Sequence, residues 1–173
     1  MIYFIRASIR EPVAPDHRLS CPSRLWRTLL HELARRGGGH RESGAFLLGK
    51  RIGGRRVVRG FICYDDLDPH CLDSGIVMFD GAGYGPLWQH CRKARLEVVA
   101  DVHTHGGPAR QSRADRDHPM IATPGHIALI VPEYAQHLVS ARELGVYEYL
   151  GGHRWQSYDG KLAARFFYIG VWG

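Results

Sequence analysis

The stretch Asp101-Val102-His103-Thr104-His105, followed by Ser112 and Asp115, holds the side chains best suited to chemistry. Side chains of a strand alternate faces, so His103 and His105, at the end of the apolar run 96–102, can point the same way. Asp115 adds a hard carboxylate. Two imidazoles and one carboxylate, with a fourth position open, form a usual donor set for a catalytic zinc ion. That set suggests a hydrolase. Such an enzyme also needs a base beside the ion that is not itself a ligand. Glu42, leading into the apolar residues 45–48, is the candidate.

Ser112-x-x-Asp115 also fits a helix capping box, and the two readings are compatible, because a ligand in the first turn of a helix is rigidly presented. Asp115 keeps the Ser-x-x-Asp spacing and is read as the third ligand; Asp117 reads as a helix-start acid. Asp101 shares a strand face with both histidines. It either orients the His103 ring from behind or is an exposed strand acid. Thr104 faces the other way and reads as packing. His118 and His126 read as loop or core histidines.

These side chains need a frame. Residues 2–9 alternate as a strand, and Pro12 and Pro15 mark a loop. Leu25, Leu29, Leu30 and Leu33 fall at helical spacing over residues 23–36, with Pro22 near the start and Gly37-Gly38-Gly39 as the stop. Residues 45–48 and 57–63 read as strands of a hairpin turned at Gly53-Gly54. Residues 65–75 form a polar loop, and residues 76–79 a short strand. Tyr84, Leu87, Trp88 and Cys91 mark one face of a second helix. Strand 96–102 leads into the motif, and residues 126–131 form a strand covered on both faces. Residues 146–150 and 155–158 pair about Gly151-Gly152, and residues 166–171 close the chain. The order implies an α/β fold: a mixed β-sheet flanked by two main helices, one domain over residues 1–173.

Bulk properties narrow the class. A chain of 173 residues that is 45% hydrophobic suffices for one core. The charge of +6 comes from scattered arginines with no aromatic-basic platform, so nucleic-acid binding is not expected. Cys21, Cys63, Cys71 and Cys91 form no C-x-x-C pair and read as reduced, buried thiols. No apolar run reaches membrane length and residues 1–9 do not fit a signal peptide, so a cytoplasmic protein with no membrane contact is expected.

Taken together, Glu42 ahead of Gly44-Ala45-Phe46-Leu47-Leu48-Gly49, then His103-x-His105, then Ser112-x-x-Asp115, resemble the JAMM (MPN-plus) metalloprotease family. The resemblance spans residues 42–131. The chain departs from the family pattern where Gly106 replaces the proline after the second histidine, and where the interval from His105 to Asp115 is one residue shorter than in eukaryotic members. Glycine tolerates the sharp backbone such a shortening demands.

The resemblance implies a cytidine-deaminase-like sandwich and Zn2+ bound by His103, His105 and Asp115. It makes Glu42 the proton carrier, and Ser112 a donor to the oxyanion contributing roughly 3 kcal/mol. It implies an isopeptidase or endopeptidase, deubiquitinase-like, cutting after the C-terminus of a ubiquitin-like protein. The peptide tail would lie beside a strand edge, with segments 65–75 and 132–145 flanking the cleft. Small prokaryotic members also suggest conjugation-type enzymes of one operon as partners, and antiviral defence as the setting. The same resemblance admits two alternatives: removal of an amino-acid adduct from a sulfur-carrier protein, and a metal-free MPN scaffold.

Overall fold

The leucine stripe forms helix α1 (Ser23–Gly37), which buries Trp26, Leu29, Leu30 and Leu33. It starts directly after Pro22, whose missing N–H is harmless there. It ends where Gly38 turns left-handed (φ 59°) and its N–H donates to Ala34 O. Arg35 and Arg36 in the last turn complement the negative end of the helix dipole.

The structure, a computed structural model, describes residues 16–79 and 81–171. The strand expected at residues 2–9 and the loop at Pro12 and Pro15 lie outside the described residues. Around α1 run β1 (Leu19–Pro22), β2 (Gly44–Ile52), β3 (Arg55–Cys63), helix α2 (Tyr84–Ala94) and β4 (Glu97–Thr104). Then come α3 (Arg113–Asp117), β5 (Ile127–Val131), β6 (Gly145–Gly151), β7 (Arg154–Tyr158), α4 (Lys161–Phe166) and β8 (Phe167–Gly170). The strands form one mixed sheet in the order β7-β6-β5-β4-β2-β3-β1-β8.

Both expected hairpins form, but the second turns at Gly152-His153, because Gly151 still pairs with Arg154. Gly53 and Gly54, at φ 55° and 80°, supply the left-handed pair that a two-residue turn needs between β2 and β3. Strand β4 lies mid-sheet, antiparallel to β2 and parallel to β5. Its alternation sorts side chains between two layers. Ala100 and Val102 join Leu29, Leu33, Leu47 and Leu129 beneath α1. On the other face, Phe46, Leu48 and Tyr64 pack with Leu87 and Cys91 of α2. Each fully buried side chain of this size contributes about 1.5–3 kcal/mol relative to exposure. All four cysteines are buried and unpaired. Burial pushes the Cys21, Cys63 and Cys71 thiols up to about 12, which leaves them protonated and poor ligands. No helix among the described residues is long and apolar enough to cross a membrane.

Several expectations need correction. Residues 76–79 are not a strand: the Val77 N–H goes to the Glu42 carboxylate and the Met78 N–H to Cys71 O, so no neighbouring strand receives them. Asp117 ends α3 and does not start it. Phe166 belongs to α4, and the last strand begins at Phe167.

Candidate metal centre

Strand β4 carries His103 at its end, and the His105 N–H donates to Val131 O (2.9 Å), extending the extended backbone one residue further. The two rings therefore emerge on one face, with Nε2 atoms 3.0 Å apart. Asp115 completes the group: Oδ1 is 3.3 Å from His103 Nε2 and Oδ2 is 3.4 Å from His105 Nε2. Donors held about 2.0–2.1 Å from one tetrahedral ion stand about 3.3 Å from each other. The two nitrogens, and the Asp115 oxygen nearest each of them, stand at about that spacing, with Oδ1 facing one ring and Oδ2 the other. Among the described residues this is the one cluster of three such side chains whose donor atoms converge, all within 4.8 Å.

Electrostatics tighten the cluster. Burial pushes the Asp115 carboxyl up, but the two imidazoles and the Ser112 N–H outweigh it, holding its pKa well below the usual range. Burial likewise pulls the His103 imidazole down, and Asp115 more than offsets this, leaving it above the ordinary value. Behind the ring, His103 Nδ1 is buried with no hydrogen-bond partner.

Register explains Glu42. Gly44 pairs with His103 across the antiparallel β2–β4 ladder. Just beyond it, the Thr104 N–H donates to Ser43 O (2.8 Å) and the Ser43 N–H to Thr104 Oγ1 (3.0 Å). Thr104, expected as packing, is buried and fastens this corner. Glu42 then falls opposite His105, with Oε1 3.7 Å from His105 Nε2. Oε2 accepts the Val77 N–H at 3.1 Å, so one carboxylate oxygen is anchored while the other faces the histidines.

Ser112 is the N-cap of α3. Its Oγ accepts the Asp115 N–H (3.1 Å), and its own N–H donates to Asp115 Oδ2 (2.6 Å), so the capping box holds the candidate ligand Asp115. The hydroxyl proton of Ser112 is not used in that box.

Two tyrosines, invisible as site residues in the sequence, secure the intervening loop. A Cβ at Gly106 would collide with the Tyr134 ring, which accounts for glycine here in place of proline. Tyr134 N–H donates to His105 O (2.9 Å) and Glu133 N–H to Gly107 O (3.3 Å). Glu133, Tyr134 and Ala135 have φ of 52°, 53° and 58°, a left-handed turn built without glycine. From the other side, Tyr147 OH donates to Ala109 O (3.1 Å) and accepts the Gln111 N–H (3.2 Å).

Asp101 takes neither expected role. It is buried, with Oδ1 2.5 Å from His126 Nε2 and Oδ2 accepting from Tyr64 OH at 3.2 Å. His126 is a core histidine, as read from sequence. A cleft of about 800 Å³ opens in front of His103 and Asp115, with Val77, Met78, Tyr84, Met120 and Trp155 on its walls. Segment 65–75 borders it through Asp68, His70 and Asp73. Segment 132–145 does not line this cleft, since Ala135, Val139 and Leu144 are buried in the core under α1; its Arg142 and Glu143 border a neighbouring depression instead.

No family model matches the sequence. Among solved structures, the chain is similar to a solution structure of a protein from Desulfitobacterium hafniense, a structural-genomics target. That match has a TM-score of 0.60 and 19% identity, covering 82% of this chain and 90% of that one. A solution structure of a Salinibacter ruber protein is similar at TM-score 0.55 and 19% identity, covering 81% and 88% respectively. At this identity the likeness shows a shared fold, and nothing about activity.

Proposed function

We propose that the chain is a JAMM-type zinc metallopeptidase that cuts the amide bond after the C-terminus of a ubiquitin-like protein. The observation that carries this reading is the convergence of His103, His105 and Asp115, with donor atoms within 4.8 Å of one another and Glu42 Oε1 3.7 Å from His105 Nε2. The mixed sheet between α1 and α2 is the arrangement the family's cytidine-deaminase-like fold would have, and it puts these groups at the carboxyl end of a central strand.

His103, His105 and Asp115 would hold the zinc ion, which when bound supplies Lewis acidity and a solvent ligand that ionises near neutral pH. Glu42 takes a proton on Oε1, while the Val77 N–H keeps Oε2 in place, and returns that proton to the leaving amine. Ser112 donates its hydroxyl proton to the oxygen that gains charge when the scissile carbonyl becomes tetrahedral. A peptide tail would lie in the cleft of about 800 Å³ beside the cluster.

The test is direct. Purified protein should contain about one zinc per chain and cleave ubiquitin-like fusions only without a chelator, and Glu42→Gln should keep the metal and lose cleavage. Full activity in that variant, or in chelated protein, would remove this reading. Release of an amino-acid adduct with folded fusions left uncut would move the substrate to a sulfur-carrier protein.

A further inference from the structure

Beyond the metal cleft, a second depression of about 700 Å³ lies on the far side of the loop between His105 and α3. Its walls include Arg110, Arg116, Arg142, Tyr147 and Trp155. Gln111 and Trp155 border both depressions, so the two adjoin, one on each side of that pair. All three arginines are exposed, and among the described residues none makes an ion pair. Arg113, by contrast, faces Asp117 at 3.4 Å. Two carboxylates also border this depression. Glu143 is engaged by Ser140 Oγ (2.6 Å) and His137 Nε2 (3.2 Å), and Asp159 is the other. The metal cleft is bordered instead by Asp68 and Asp73, with His70. One depression is thus bordered by Asp68 and Asp73, and the other by three unpaired guanidinium groups that outnumber Glu143 and Asp159.

We infer that the arginine-bordered depression docks an acidic polypeptide segment of the substrate, on the side of the scissile bond away from Asp68 and Asp73. The word substrate rests on the proposed peptidase activity; the docking does not. An unpaired guanidinium presents a planar fork that matches a carboxylate. The aromatic groups favour a peptide over a nucleic acid, because base stacking needs a free ring face. Here Tyr147 is buried with its hydroxyl engaged by the loop. Trp155 packs on Tyr149 at 4.9 Å with its Nε1–H donated to Arg116 O.

The experiment uses zinc-loaded Glu42→Gln protein, which binds without cutting, and fluorescein-labelled short peptides that are glutamate-rich, glutamine-rich or lysine-rich. Anisotropy should show the glutamate peptide binding about tenfold tighter than the glutamine peptide at low salt, with the advantage shrinking as salt screens it. Adding Arg142→Glu should erase the preference, and Arg110→Glu with Arg142→Glu should reverse it toward the lysine peptide. Circular dichroism confirms that each variant is folded. Equal binding of glutamate and glutamine peptides, an unchanged preference in the Arg142→Glu protein, or tighter binding of an oligothymidylate overturns the inference. Wild-type protein that binds the glutamate peptide but cleaves no fusion would refute the peptidase reading alone.

Discussion

Two polar clusters lie on the same face of β4, one step apart. At Asp101 every oxygen has a partner: His126 takes one and Tyr64 the other, and all three side chains are buried. At His103 the opposite holds. Two imidazole nitrogens face each other at 3.0 Å, a carboxylate stands within 3.4 Å of each, and Nδ1 has no partner. A closed hydrogen-bond network needs no further atom and reads as structure. Two imidazole nitrogens and a carboxylate gathered at this spacing are a donor set that a cation would hold. Sequence spacing alone made Asp101 a companion of the histidines; partner geometry divides them.

The largest effect should come from the second cluster. Glu42→Gln keeps the shape of the side chain but cannot carry the proton, so kcat should fall about 10²–10⁴-fold with zinc content unchanged. Metal analysis alongside single-turnover cleavage separates the two. Loss of zinc in that variant would make Glu42 a ligand and erase the distinction between base and donor set.

The first cluster should respond in stability. Asp101→Asn leaves His126 and Tyr64 buried with a poorer partner, and should cost about 2–4 kcal/mol of unfolding free energy. Zinc stoichiometry should not change, because Asp101 makes no hydrogen bond to His103. Denaturant unfolding with metal analysis reads both. A variant that unfolds normally yet loses zinc would place Asp101 in the metal centre after all.

A comparable but smaller effect should follow zinc itself, near 2.7 kcal/mol at a hundredfold excess over its dissociation constant. Its pH dependence has a definite sign. In chelated protein the raised His103 imidazole gives stability that is complete below about 6.5 and fades as pH rises through the folded value. The lowered Asp115 carboxyl gives stability present above about 4 and lost on acidification through its folded value. Chelated protein should therefore lose stability as pH rises from about 6.5 through the folded His103 value, while the increment added by zinc grows over that range as protons leave His103. Melting temperatures with zinc and with chelator across that range would show both slopes. An increment that shrinks with rising pH would argue against His103 as a ligand.

The two halves of the candidate cluster were legible because short spacings fix their geometry: His103 and His105 through strand alternation, Ser112 and Asp115 through one helical turn; Glu42's place beside them comes from the β2–β4 register. Helix α1 and both hairpins were legible for the same reason. Strand β1 was not, since four residues ending in proline become a strand only through parallel pairing with β3 and β8. Nor was the Asp101–His126 contact. It depends on the parallel register of β4 on β5, where Asp101 pairs with Ala128. Tyr134 and Tyr147 were hidden for a related reason, because each comes from outside the motif to meet a loop whose path the sequence leaves open. Short α3 and α4 have no room for an apolar period, although the capping box at Ser112 was a usable signal for the first.

The smallest effect should arise at the left-handed turn beside His105. Non-glycine residues there cost roughly 1–2 kcal/mol each, and a glycine loses roughly 0.5–1 kcal/mol through its freer unfolded chain. Glu133 is exposed, so Glu133→Gly should raise stability by under about 1 kcal/mol. The turn also holds His105 O and Gly107 O through the Tyr134 and Glu133 N–H groups, and a freer backbone holds them less well. Zinc should then leave a few-fold faster, as a chelator-competition rate would show. The signs run opposite to those at Asp101, where the substitution lowers stability and spares the metal. If Glu133→Gly slowed zinc release, the strained turn would be working against the site it borders, and its strain would belong to the fold alone.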